Sequence, residues 1–200
     1  EMTRAQVLAR HAWSESERLD LFADPDRTAD AIGDFAGAAA VRGFQAFCRR
    51  AGEVYKTLLK SFICAPRPNP LGLMLRVGGL GELLRIKPYS TLWDELGGFF
   101  ADSRLRQLFG RYATYCGASP LRAPATLMLV AHVELAGVWR VTGGMQRLAE
   151  AMAGLAAERG ARFRLGETVT DVVLERGRVA GVMLASGERL PARAVVVNAD

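Results

Sequence analysis

What this 200-residue chain lacks narrows it first. Half of its residues are hydrophobic, yet no run reaches the roughly eighteen consecutive apolar residues that a spanning helix needs, so no transmembrane helix is expected. Cysteine is scarce: Cys48, Cys64 and Cys116 are odd in number and far apart, neither a disulfide framework nor a zinc set. Buried free thiols in a reducing cytoplasm are the expectation. Histidine is scarcer still, and His11 and His132 share no metal-binding spacing, so no metal site is expected. Lysine is rare beside arginine, which reads as composition bias. The net charge of +5 is spread along the chain rather than gathered into an aromatic-interleaved patch, and nucleic acid is therefore not an expected partner. Glu1-Met2-Thr3-Arg4 opens no basic-then-apolar secretory pattern. Ser119 lies in A-S-P rather than G-x-S-x-G, and the adjacent Asp94 and Glu95 would point apart on a helix, so neither a nucleophile elbow nor a carboxylate pair is indicated.

Also absent is G-x-G-x-x-G, the loop that sets a pyrophosphate on a helix N-terminus. The tail nevertheless has the order of the second half of a dinucleotide-binding α/β domain. A strand-like V-W-R-V reaches Gly143-Gly144, and Met145, Leu148, Ala149, Met152 and Leu155 then mark one face of a helix that Gly160 caps. Arg162 to Leu165 reads as a short strand. Alternation from Glu167 to Leu190, with turns at Arg176-Gly177 and Ser186-Gly187, predicts an antiparallel meander. Ala194 to Val197 is a continuous run suited to a strand buried on both faces, as in a parallel sheet. The phosphate-binding half is expected to lie outside these 200 residues.

Residues 1–140 are organised differently. Val7 to Trp13 and Arg18 to Phe22 predict a hairpin around the charged Ser14-Glu15-Ser16-Glu17, and Asp24-Pro25 opens a helix. A helix follows from about Ala38 to Ile63, with Phe44, Phe47, Ala51, Tyr55, Leu58 and Leu59 on one stripe, until Cys64 to Pro70 stops it. Segments at Leu71 to Leu75 and Leu80 to Ile86 precede helices near Leu92 to Phe100, Arg104 to Tyr115 and Pro124 to Leu135. The fold class is α/β: a mostly helical α+β domain over 1–140, and part of a Rossmann-like domain over 141–200. The aromatics Phe99, Phe100, Phe109, Tyr112 and Tyr115 are candidates to line an apolar tunnel.

Several stretches together resemble a family. G-G-M-x-x-L-A-x-A-M, G-R-V-x-G-V-x-L-x-S-G-E and A-V-V-V-N-A-D, with Asp102 to Thr126 upstream, are similar to the carotenoid (phytoene) desaturase family of FAD enzymes. A-R-H-A-W-S and R-Y-A-T-Y-C-G look like its branch acting on 1-hydroxy- or 1-methoxy-carotenoids. The resemblance covers essentially the whole chain as an internal slice of a longer protein. It implies a glutathione-reductase-like flavoprotein fold, incomplete here, and an FAD-dependent oxidoreductase acting on CH–CH bonds. Phytoene desaturation proper, carotenoid isomerisation and a non-catalytic flavoprotein-like binding module remain alternatives.

By the resemblance, Gly143 and Gly144 lead back into the FAD domain, the backbone of Val169 contacts the adenine, and Asn198, Ala199 and Asp200 end a strand near the cofactor. The oxygen of a substituted carotenoid needs a polar partner in an apolar site. Tyr112, Tyr115 and His11 are candidates, each an apolar body with one polar tip. No residue is assigned as catalytic base. A carotenoid resides in a bilayer, so the implied location is cytoplasmic, peripheral to the inner membrane, with Leu71 to Ile86 as the candidate interfacial stretch.

Overall fold

The computed structural model describes residues 1–65, 87 and 89–198. The chain divides into two compact units, 1–144 and 145–200. In the first, β1 (Met2–Arg4), β2 (Val7–Ala12) and β3 (Arg18–Phe22) lead into α1 (Pro25–Ala36) and α2 (Ala38–Leu58), and α2 runs on into a π-helical turn, Leu59–Ile63. Then come α3 (Leu92–Gly97), α4 (Ser103–Gly110), the 3-10 segments Arg111–Cys116 and Ala125–Met128, α5 (Leu129–Ala136) and β4 (Trp139–Val141). β4 pairs antiparallel with β1, Met2 opposite Val141, which ties the two ends of the unit together. The turn at Gly143-Gly144 falls within this unit.

Local signals place most of these elements. β2 and β3 form the expected hairpin, His11 opposite Leu19, and alternation along β3 turns Leu19 and Leu21 into the core. Arg104 holds the hairpin's charged turn, pairing with Glu17 and with Asp102, and its guanidinium lies 4.3 Å from the Phe35 ring centre. Asp24 accepts from the Asp26 N–H at 2.9 Å to cap α1, and Pro25 occupies the first helical turn. The buried stripe of α2 is Phe44, Phe47, Ala51, Val54 and Leu58, while Tyr55 and Leu59, expected on it, are only half-buried. Phe47 sits at the centre, its ring near those of Phe99, Phe100, Phe109 and Tyr112. α2 can approach residues 99–100 because position 43 is glycine: a Cβ there would stand 2.1 Å from the Phe99 carbonyl oxygen.

The second unit holds α6 (Met145–Glu158) and a meander of β5 (Val169–Glu175), β6 (Arg178–Leu184) and β7 (Arg189–Pro191), in the order β5-β6-β7. Its first turn uses Arg176 and Gly177 at φ 50° and 74°, the positive-φ pair that a two-residue hairpin demands. α6 ends at Gly160, φ 89°, with the Ala161 N–H closing on the Ala156 carbonyl at 2.9 Å.

Two expected strands are not strands. Arg162 to Leu165 is irregular, and Ala194 to Val197 pairs with nothing, Val196 being 91% exposed rather than buried on both faces. An extended run becomes a strand only where a neighbour completes its ladder, and no described residue does so for either segment. Every strand pair among the described residues is antiparallel. The thiol expectation also needs correction: only Cys48 is shielded, while Cys64 and Cys116 lie exposed at the ends of the π-helical turn and the first 3-10 segment. Burial pushes the Cys48 thiol up to about 12, against a small opposing effect of Arg49, so it is inert. The Leu71 to Leu75 and Leu80 to Ile86 segments, Ala199 and Asp200 lie outside the described residues.

Candidate functional site

The first unit gathers one buried polar cluster, and its centre is a residue that spacing alone did not single out. Glu134 is the only acid between Asp102 and Glu150, set in the apolar L-M-L-V-A-H-V-E-L-A-G. Its helix, α5, turns Ala131 and Glu134, at i and i+3, to the buried side. A carboxylate so placed is very costly unless paired and hydrogen-bonded. Three groups serve it: Arg111 Nη2 and Tyr112 Oη donate to Oε1, the latter at 3.3 Å, and Tyr115 Oη donates to Oε2 at 3.2 Å.

The backbone explains the convergence. A regular α-helix through Tyr115 was expected, but α4 gives way at Arg111 to a 3-10 segment that Gly117 ends in the left-handed region, φ 61°. Three residues per turn set side chains three apart one above the other, so Tyr112 and Tyr115 reach the same carboxylate. Their rings lie 6.5 Å apart. Tyr112 is 3% exposed and Tyr115 62%, so one forms the inner wall and the other faces outward. The Arg111 guanidinium lies over the Tyr112 ring, 4.6 Å from its centre.

Electrostatics keep the donors as donors. Burial and then the Glu134 carboxylate raise the Tyr112 phenol well above its ordinary range. Burial would lower Arg111, but its hydrogen bond to Glu134 and the neighbouring phenol and carboxylate hold it above its usual value. His11, stacked on Trp13 at 5.9 Å, answers to the same charges. Burial and Arg111 lower its pKa while Glu134 and Asp20 raise it; the net shift is downward, leaving the imidazole neutral at neutral pH. Two buried polar atoms, His11 Nδ1 and Arg111 Nε, have no hydrogen-bond partner among the described residues. The structure thus brings Tyr112 and Tyr115 to one carboxylate, with Glu134 and Arg111 as the members that residue type alone did not reveal, while His11 stacks on Trp13. The signal available was the isolated acid in an apolar run.

Beside Glu134 and Tyr112 is a cavity of about 10 Å³, lined otherwise by apolar groups such as Phe44, Phe47, Phe109 and Ala131. Such a space admits one water-sized group and no polyene. The tunnel expectation is accordingly corrected for the inner aromatics. Phe100 and Phe109 stack on each other at 4.8 Å, each 1% exposed, and fill core rather than line a passage.

The backbone positions expected for a cofactor fall in both units. In the first, Gly143 and Gly144 have φ of 82° and 90°, and nothing lies within 4 Å of where a Gly144 side chain would start. This is open, bare backbone of the kind a flat ligand can approach closely. In the second, Val169 begins β5, the outer strand of its sheet, paired on one side with Leu184. Asn198 is exposed at the end of the unpaired run. These features fit a flavin's edge or adenine contacting main chain. Among the described residues, no cluster of three His, Cys, Asp or Glu could hold a metal ion, and no helix is long and apolar enough to cross a membrane.

Comparison with known proteins supplies the family. The family model described as flavin containing amine oxidoreductase matches residues 82–200. The chain is 51% identical over 97% of its length to a hydroxyneurosporene desaturase of Rubrivivax gelatinosus, of which it covers 38%. It is 41% identical to a protein of the same name from Cereibacter sphaeroides, over 97% of this chain and 39% of that one. An all-trans-zeta-carotene desaturase of Myxococcus xanthus is 35% identical over 95% of this chain and 35% of its own. The chain therefore spans rather more than a third of the length of these relatives. With well over half its residues inside the family match, including the turn at Gly143-Gly144 and the meander, the chain belongs to the flavin-containing amine oxidoreductases and is a relative of the carotenoid desaturases.

Proposed function

We propose that the complete protein is an FAD-dependent desaturase that removes two hydrogens from a carbon–carbon bond of an acyclic carotenoid bearing a 1-hydroxy or 1-methoxy end. The observation carrying this reading is the 51% identity across 97% of the chain to a hydroxyneurosporene desaturase, with two further proteins of that name at 41% and 36%. Within a glutathione-reductase-like fold, residues 1–140 serve the substrate and residues 141–200 are the returning part of a Rossmann-like FAD domain. Bound FAD supplies the two-electron acceptor that no side chain provides.

The chain's own share is positioning. Gly143 and Gly144 offer main chain without side chains to a flat ring system, Val169 offers the backbone of an outer strand to the adenine, and Asn198, Ala199 and Asp200 are further cofactor-binding candidates. His11, Tyr112 and Tyr115 carry the polar tips that meet the substrate's oxygen, and the packed aromatic core behind them excludes water. Because carotenoids partition into bilayers, the enzyme works at the cytoplasmic face of the inner membrane as a peripheral protein, drawing substrate through an apolar patch.

The test uses the full-length protein loaded with FAD and given 1-hydroxyneurosporene or phytoene in liposomes, products being resolved by chromatography and absorbance. Faster formation of a lengthened chromophore from the hydroxylated carotenoid is expected. Faster turnover of phytoene would move the protein to phytoene desaturation, the name carried by more distant relatives. No turnover of either would overturn the proposal.

A further inference from the structure

The C-terminal end of α2 sorts its side chains against polarity. Phe62 lies about five turns of a regular α-helix beyond Phe44, so an uninterrupted helix would carry both on the line of the buried stripe. That register breaks first. From Leu59 to Ile63 the helix is π-helical, closed by the Cys64 N–H donating to the Leu59 carbonyl at 2.8 Å. Inside this turn Ser61 is buried, its hydroxyl donating to the Thr57 carbonyl at 2.8 Å. Phe62 and Ile63 are turned out instead, 48% and 46% exposed. π-helical turns are rare and frequent at functional sites, and leaving two neighbouring apolar side chains half in water forgoes burial that would stabilise the fold.

The charge around this pair is of one sign. Lys56 is exposed in the last turn of α2 and Lys60 belongs to the π-helical turn; with Lys87 they are the only lysines of the chain. No Asp or Glu occurs between Glu53 and Glu82, and Glu53 itself pairs with Arg50. Elsewhere in the unit surface cations meet acids, Arg10 with Asp20 and Lys87 with Glu95. An apolar pair beside unmatched lysine positions suits an anionic bilayer: the rings and methyls enter the acyl boundary while long lysine stems reach back to the head groups. A protein partner suits it less, because a stable interface covers about 800 Å² on each side, far more than two side chains present.

We propose that the π-helical end of α2 is a membrane-contact point, with Phe62 and Ile63 inserting into the interface of an anionic bilayer and Lys56 meeting its head groups. The proposal rests on the peripheral location given above and names a surface that makes the contact. Burying Ser61 has a role in this arrangement, since its hydroxyl is satisfied internally and the outward positions are left to apolar groups.

The experiment measures cosedimentation of the full-length, FAD-loaded protein with vesicles of phosphatidylcholine, alone or mixed with phosphatidylglycerol. Wild type should bind the mixed vesicles more tightly, by a margin that shrinks with added salt. Phe62→Ser combined with Ile63→Ser should weaken binding to both vesicles about tenfold, as expected for two half-exposed apolar side chains that no longer enter the acyl boundary. Lys56→Gln should weaken binding to the mixed vesicles alone, about fivefold, the effect of one cation near an anionic surface. Leu121→Ser, at a residue 60% exposed elsewhere in the unit, should change neither. Circular dichroism and bound-flavin absorbance verify folding, and Lys56→Gln decides if the double variant collapses. A folded double variant that binds as wild type does, or a Leu121→Ser that loses as much, would overturn the contact point alone. Wild type that binds neither vesicle would overturn the peripheral location together with this inference, while turnover of a detergent-solubilised carotenoid judges the desaturase reading separately.

Discussion

The two units of this chain handle apolar side chains in opposite ways. Residues 1–144 make a core of their own: Ile32, Phe47, Leu92, Leu96, Leu105 and Leu108 are each fully inaccessible. Among the described residues of 145–200 only Leu184 is a buried hydrophobe, and α6 buries none of its fourteen residues. Met145, Met152, Leu165, Leu174 and Val196 are all more than half exposed there. Apolar periodicity can thus be a record of local packing or a demand for a partner, and only the fold tells which. The stripe of α2 and the stripe of α6 are equally regular in sequence, yet one is satisfied within its unit and the other is not.

The largest expected effect tests that contrast directly. Phe47→Ala removes a ring packed among four other aromatics and should cost about 3–5 kcal/mol in chemical denaturation of the 200-residue chain. Met152→Ser, at a residue 64% exposed, should stay within about 0.5 kcal/mol in the same chain. In the complete protein the Met152 change should become destabilising, because an apolar helix face this extensive is normally covered. A null effect in both settings would mean that the α6 stripe serves no packing at all.

How much could be read beforehand follows the same division. The hairpin, the Asp24-Pro25 helix start, the stripe of α2 and both meander turns were legible, because each is set by residues within a few positions of one another. Ala194 to Val197 has the pattern of a buried strand, but its ladder depends on a neighbour that no local pattern reveals. The change from α to 3-10 geometry at Arg111 was likewise invisible, and with it the reason that Tyr112 and Tyr115 share Glu134. Residue type singled out three polar-tipped side chains as substrate candidates. It missed the ion pair to which Tyr112 and Tyr115 are bonded, since a lone acid in an apolar run does not name its partner.

Glycines sharpen the comparison at a smaller scale. Gly43→Ala would bring a methyl to 2.1 Å from a backbone oxygen, and overpacking of this kind costs about 1–3 kcal/mol, only partly offset by helix propensity. Gly154, inside α6, has nothing within 4 Å of a built side chain, so Gly154→Ala should stabilise the 200-residue chain by up to about 1 kcal/mol. Thermal melts of both variants give the signs. Destabilisation by Gly154→Ala in the complete protein, with stabilisation in the shorter chain, would locate a close contact on that face of α6.

The smallest expected effect separates the units by proton. His11 lies in the first unit, so its titration acts on that unit. His11 is held below its ordinary pKa of 6.5 by burial and by Arg111, so its folded form resists the proton that the unfolded chain accepts. Between the unfolded value and the lower folded one the unfolded state binds more protons, and stability therefore falls as the pH is lowered from about 6.5 and is fully retained above it. Urea midpoints of the 200-residue chain at pH 7.5 and 5.5 should show this decline in the first unit's transition. His11→Phe should flatten it, since phenylalanine keeps the ring beside Trp13 and removes the titrating group. An unchanged slope in that variant would assign the decline to another group and remove His11 from the charge network around Glu134.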